Sequence, residues 1–290
     1  ILDEVQRLPV LLSYIQVIVD ENQQEGQFIL TGSHQLELRQ AITQSLAGRT
    51  GLLTLLPLSM AELRDESIDF KTPWDAIFKG FLPRIYDKNI RPSNAYANYY
   101  QTYVERDVRQ LIHLKDSSLF EKFMKLLAGR VGQLMDYTSL GNDVGVSHQT
   151  IKSWLSILEA SFIVIKLSPY FENFGKRQVK SPKYYFVDTG LLAFLLNIQN
   201  ADQVSRDPLV GQMFENLVVV EAFKAQYNKG IMPNLYFYRD SNGLEIDLIW
   251  QNGRELCPIE IKSTSTFNSS LLKGLNKFKD MTDYAQGYLV

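Results

Sequence analysis

Three strand-like runs between Leu235 and Lys262 are separated by two short glycine turns, Ser241-Asn242-Gly243 and Asn252-Gly253. Such spacing forces an antiparallel meander, since turns this short can only reverse the chain. Within a strand successive side chains alternate between faces. Leu244, Ile246, Leu248 and Trp250 are therefore expected on one face, and Glu245 and Asp247 on the other. In the third run Glu260 and Lys262 share a face opposite Ile259 and Ile261. With Asn252-Gly253 as a two-residue turn, Glu245 opposes Glu260 and Asp247 opposes Pro258. Glu245, Asp247, Glu260 and Lys262 then converge on one side of the sheet.

A helix expected to start at Asp207-Pro208, with Asp as cap and Pro in the first turn, precedes the meander. It carries Glu215 on a stripe with Val218, Val219 and Ala222. A carboxylate on an apolar stripe needs a partner or a cation. Three carboxylates and an ammonium invite a hard divalent ion. Asp247 and Glu260 are the expected magnesium or manganese ligands, Glu215 completes the shell, and Lys262 positions a water and stabilises developing negative charge, as phosphodiester hydrolysis requires. The alternative is a solvated sheet face of ordinary Glu and Lys pairs.

The chain opens differently. Ile1-Leu2-Asp3-Glu4 is an apolar strand ending in two acids, and Phe28 to Ser33 is a second buried-type strand ending in small polar residues. Between them Leu8 to Glu21 has helical periodicity, and Leu36 to Ala47 follows as a shorter helix. An Asp-Glu pair at a strand end suits nucleotide hydrolysis, with Asp3 on magnesium and Glu4 on the attacking water. No Gly-x-x-x-x-Gly-Lys loop for phosphates occurs in the sequence, so its place is expected upstream of residue 1. Arg49 follows Gly48 at a helix end, either as a surface residue or within reach of a γ-phosphate.

The middle is helical. Ser93 to Leu114 carries Tyr96, Tyr99, Tyr100 and Tyr103, read as packing, and Ser118-x-x-Glu121 is expected to form a capping box. Tyr137 to Leu155 reads as helix-turn-helix: Gly145 supplies the left-handed turn, Val146 plugs the interhelical core, and Ser147 caps the second helix. Ile151, Trp154, Leu155 and Leu158 face inward. His148, Gln149 and Lys152 remain outside, where a recognition helix meets a groove. Phe162–Leu167 and Lys183–Val187 look like paired strands joined by a basic loop, the layout of a winged helix. Such modules bind DNA or other proteins.

At 290 residues the chain is expected to hold two or three domains. A net charge of −2 makes no global case for nucleic acid, but the charge is uneven. Residues 1–75 carry eleven acidic and five basic side chains; residues 152–183 carry six basic and two acidic. Lys152, Lys176, Arg177 and Lys180 in that stretch are candidate nucleic-acid contacts. The single Cys257 excludes an intrachain disulfide, which with the absence of a membrane-length apolar run fits a reducing cytoplasm.

In combination the motifs Leu46-Ala47-Gly48-Arg49, Leu56-Pro57-Leu58-Ser59, Lys79-Gly80-Phe81-Leu82-Pro83-Arg84, Tyr103-Val104-Glu105-Arg106-Asp107-Val108, Tyr185-Phe186-Val187-Asp188-Thr189-Gly190-Leu191 and Phe214-Glu215-Asn216-Leu217 resemble a prokaryotic family of AAA+-like ATPases. That family carries a C-terminal domain of unknown function whose end looks like a PD-(D/E)xK nuclease. The resemblance implies Asp3 and Glu4 as magnesium and hydrolysis carboxylates, Ser33 as a sensor, Arg49 as a finger, and Glu215, Asp247, Glu260 and Lys262 as nuclease-like site residues. The chain departs from the family in lacking the phosphate loop, and both its ends look trimmed. The expected fold class is multidomain α/β: residues 1–70 a partial P-loop-type ATPase layer from Walker B onward, 71–116 a helical lid or linker, 117–190 a winged helix, and 191–290 an α/β restriction-endonuclease-like domain. ATP and Mg are expected in the intact parent, and Mg or Mn at the C-terminal site. DNA is the expected partner and a membrane is not; a protein partner and self-association stay open. A non-catalytic ATP-regulated switch with a degenerate nuclease fold is the competing reading.

Overall fold

The computed structural model describes residues 1–22, 24–32, 46–112, 116–170, 180–282 and 286–290. The chain divides into two compact units, Ile1–Thr54 and Leu55–Val290.

In the first unit the segments expected as strands meet at a single bridge, and neither forms a strand among the described residues. Leu2 and Leu30 form a parallel bridge, with Leu2 N donating to Ile29 O at 2.8 Å and Thr31 N to Leu2 O at 2.9 Å. Helix α1, Val10–Asn22, buries Leu12 and Ile15 with Leu46, and Leu2, Phe28 and Leu30 pack around them. Most of the helix expected from Leu36 to Ala47 lies outside the described residues.

The second unit begins with short helices, each started by a local signal. Helix α2, Met60–Asp65, is opened by a capping box between Ser59 and Glu62. Helix α3, Pro73–Lys79, has the same device in Thr72 and Asp75. Proline stands in the first turn of α3, of α4 (Pro83–Asp87) and of α5 (Pro92–Tyr99), where its missing N–H costs nothing. Helix α5 continues as a wider-wound stretch, Tyr100–Val108. Helix α6, Ser117–Ala128, corrects an expectation: its cap is Asp116, which accepts from Ser118 N and Leu119 N. Glu121 pairs instead with Lys125, since the helix begins one residue before Ser118. Helices α7, Tyr137–Val144, and α8, His148–Ala160, are joined through Gly145 at φ 99°, and the Ser147 side chain caps α8. Ile151, Trp154, Leu155 and Leu158 are buried as expected.

Strands β1 (Val164–Pro169), β2 (Lys183–Phe186), β3 (Leu235–Arg239), β4 (Glu245–Asn252), β5 (Glu255–Glu260) and β6 (Tyr288–Leu289) form one sheet in the order β2-β1-β3-β4-β5-β6. The strand pair that follows α8 is thus the margin of the same sheet that holds the C-terminal meander, with β1 parallel to β3. Helices α9 (Thr189–Leu195), α10 (Ala201–Arg206) and α11 (Val210–Tyr227) connect the two parts. Helix α11 starts later than expected, with Leu209 at its cap position; Asp207 instead accepts from Leu209 N at 2.8 Å. Leu235, Phe237, Leu248 and Ile261 join the core cluster that includes Met213 and Leu217 of α11. Tyr238, Ile246 and Ile249 pack on the other side with Leu275 and Phe278, from helix α12, Lys273–Lys279.

Two buried polar hubs tie the unit together. Asp188 caps α9 and also accepts from Tyr96 Oη at 2.6 Å and Phe81 N at 3.0 Å. Gly190 lies so close to Tyr96 that an added Cβ would stand 2.3 Å from its ring. On α11, the buried Lys224 donates to Leu58 O at 2.8 Å and to Glu221 Oε1 at 2.9 Å, with its ammonium 3.9 Å above Phe81. Glu221 in turn accepts from Met60 N at 2.8 Å.

Candidate functional site

The meander folds with a register different from the expected one. Asn252 pairs with Glu255, so Gly253 at φ 62° and Arg254 make the turn. Every partner on β5 is displaced by two residues, which preserves the facing of side chains. Leu248 opposes Ile259 as the last pair of the ladder, so the expected pairing of Glu245 with Glu260 does not form. The β3–β4 register also shifts between Tyr236 and Tyr238. That irregularity breaks strict alternation: Ile246 and Leu248, expected on one face, pack into different clusters. Trp250 is exposed. The extra residue falls at Asp247-Leu248, and bulges of this kind re-aim side chains.

Around Asp247 the groups are tightly organised. Ile261 N donates to Asp247 Oδ2 at 2.8 Å, and Lys262 Nζ approaches the same oxygen at 2.9 Å. Lys262 Nζ also stands 3.2 Å from Glu260 Oε1. The other carboxylate oxygen, Glu260 Oε2, is buried with no hydrogen-bond partner. Burial, and next the charge of Asp247, push the Glu260 carboxyl up to about 7. Burial opposes the Lys262 ammonium, but Asp247 and then Glu260 outweigh it, and its pKa lies above the ordinary lysine value.

Beside this group lies one that sequence reasoning missed. Lys183, at the head of β2, reaches Glu215 Oε1 at 2.9 Å and Glu245 Oε1 at 2.8 Å. Tyr185 Oη donates to the same Glu215 oxygen at 2.5 Å. Burial raises the pKa of Glu215 in spite of the Lys183 charge. A signal for Lys183 existed: it is the one charge heading the apolar run Tyr184-Tyr185-Phe186-Val187, and such a charge requires a partner. Glu215, Glu245, Asp247, Lys183 and Lys262 line one open cleft of about 640 Å³.

The expected shell of Glu215, Asp247 and Glu260 is not assembled as such. Among the described residues no three acidic, histidine or cysteine side chains gather as a metal-binding group, and Glu215 is held with Glu245 by Lys183. The remaining donor set, Asp247 with the unpartnered Glu260 Oε2, is all oxygen and suits one hard divalent ion.

A second cleft, of about 280 Å³, is lined by Tyr137, His148 and Lys152 and shares Leu134 with the first. His148, Gln149, Lys152 and Lys180 are exposed, with the Lys152 ammonium 5.1 Å above the Tyr137 ring. Lys176 and Arg177 lie outside the described residues.

In the first unit Asp3 accepts from the Thr31 hydroxyl and from Glu4 N. Glu4 adopts a left-handed backbone at φ 55° and lies 3.4 Å from Arg7. Arg49 is held by Asp20, with Nη2 to Oδ2 at 3.1 Å, which engages its guanidinium at the end of α1. Ser33 lies outside the described residues. Residues 1–64 match the AAA domain family. The start of the chain is AAA-like. Residues 71–202 and 210–290 match two domains of unknown function, DUF8612 and DUF4143.

An uncharacterized protein of Mycobacterium tuberculosis is 32% identical over 267 residues, covering 91% of this chain and 58% of the relative. One of Haemophilus influenzae is 24% identical over 266 residues, covering 87% of this chain and 63% of the relative. The chain thus spans under two thirds of the length of these relatives. No solved structure matches it. No helix among the described residues is long and apolar enough to cross a membrane.

Proposed function

We propose that this chain is part of an ATP-hydrolysing protein that acts on DNA, and that its C-terminal sheet carries a divalent-metal-dependent nuclease-like site. The observation that carries the nuclease reading is Lys262, whose ammonium is shared by Asp247 and Glu260 beside the unpartnered Glu260 Oε2. A divalent ion on Asp247 and Glu260 would acidify a bound water and neutralise charge on a phosphodiester. The chain's own groups do the rest. An ammonium has three N–H donors; two of Lys262's face carboxylates, and the third is left to orient a water or hold a phosphate oxygen. With both carboxylates engaged by the ion and Lys262, the proton that the water releases would leave to solvent through the open cleft. The Ile261 amide keeps Asp247 from turning away.

DNA is favoured as partner by the order helix, helix, paired strands through α7, α8, β1 and β2, which we read as a winged helix. The Lys152 cleft adjoins the Lys262 cleft through Leu134, so a backbone bound along α8 leads towards the site. In the whole protein Asp3 and Glu4 would serve Mg and ATP. The test is manganese-dependent cleavage of labelled single- and double-stranded DNA. Asp247→Ala and Lys262→Ala are expected to lower the rate by about 10² or more; retained cleavage in both overturns the reading.

A second reading, a DNA-binding switch that does not cleave, is favoured by Lys183, which occupies two of the four carboxylates. It predicts salt-sensitive DNA affinity without cleavage by any variant.

A further inference from the structure

Lys183 is a cation built into the protein, and its placement has a chemical consequence. Its side chain is 3% exposed, and its ammonium lies 2.9 Å from Glu215 and 2.8 Å from Glu245. A third contact, 5.3 Å above the Phe237 ring, adds to the enclosure. The backbone of Lys183 is fixed from both sides, by pairing with Leu167 in β1 and by a bridge to Leu134. Tyr185, two residues along the same strand, anchors Glu215 through its hydroxyl. The two carboxylates therefore converge on an ammonium in the way they would converge on a metal.

We propose that Lys183 takes the place of a metal ion between Glu215 and Glu245, so that the site accepts a single divalent cation, on Asp247 and Glu260, and Glu215 is a positioning residue rather than a ligand. This rests on the metal-dependent reading above. Two observations support it independently. The unpartnered buried oxygen belongs to Glu260, not to Glu215 or Glu245, so ligand capacity remains on the Asp247 side alone. Displacing Lys183 with an incoming ion would also strand a buried ammonium, and removing the partners of such a charge is strongly unfavourable. A metal competing for Glu215 meets that penalty in full; at Glu260 the neighbouring ammonium is that of Lys262, whose side chain is 35% exposed and can turn to water.

The proposal is tested by titrating the full chain with Mn²⁺ alone and reading free ion by electron paramagnetic resonance. Wild type should bind one ion per chain. Glu260→Gln should weaken binding by about tenfold or more, whereas Glu215→Gln should leave it within about threefold. Lys183→Met should open a second site, giving two ions per chain; a thermal melt checks that it is folded. Should it fail to fold, Glu215→Gln decides alone. Two ions on wild type, or tenfold weakening by Glu215→Gln, overturns the role of Lys183 and leaves a metal site standing. No Mn²⁺ bound by wild type overturns the metal-dependent reading and, with it, this assignment.

Discussion

Glu260 shows how one side chain links stability to function. Its carboxyl is raised from 4.5 to about 7, first by burial and then by Asp247. A carboxyl raised on folding binds more protons folded than unfolded, so it supports the fold at low pH and that support is lost as pH rises from about 4.5 to about 7. Lys262 softens this effect without reversing it. Glu260→Gln removes the titrating group, and the expected outcome is a melting temperature less sensitive to pH across that window, by about 3 °C. Melts of wild type and variant at pH 5 and pH 8 check it; parallel slopes would contradict it. The facing of Asp247, Glu260 and Lys262 was legible in the sequence because it depends on alternation. For Lys183 the need for a partner was legible but its partners were not, because they lie 32 and 62 residues away along the chain (183 to 215 and 245).

Among elements, the α7–α8 corner was the most legible part of the chain, since Gly145 and Ser147 act on their own neighbours. The corner depends on one more glycine. A Cβ on Gly141 would stand 2.6 Å from Val146 O, so the turn folds back directly over α7. Gly141→Ala is expected to destabilise the protein by about 1–3 kcal/mol despite alanine's better helix propensity. A denaturant melt measures it, and an unchanged midpoint would show that the corner can open without cost. The β4 irregularity and the hairpin register were not legible, because each is decided by a partner strand: Asn252-Gly253 reads as the turn, and pairing with β5 moves it to Gly253-Arg254. The Gly80 and Gly190 motifs proved to be packing signals around Asp188 and Tyr96, where any side chain collides.

For the whole molecule, the first unit has its own small cluster of Leu12, Ile15 and Leu46, while the main cluster draws every member from Leu56 onward. A unit with its own core is able to fold alone. Residues 55–290 expressed by themselves should therefore keep one cooperative thermal transition, within about 5 °C of the main transition of the full chain. Loss of that transition would mean that the first unit is needed for the second to fold. The meeting of Leu2 and Leu30 beside α1 was legible in the opening residues, but the union of all six strands into one sheet was not, because β1 and β3 are joined by a parallel pairing across more than sixty residues (168 to 236).

The chain enters the second unit at Leu55, and within five residues Leu58 and Met60 are fastened to Lys224 and Glu221. Those two side chains ride on the same helix as Glu215, nine residues from Lys224 (224 to 215) and about 13 Å along the axis. Helices of this length resist bending, so α11 behaves as a push-rod. Any pull on the segment at Leu58 either tears Lys224 from its seat or slides Glu215 relative to Lys183 and the carboxylates on the sheet.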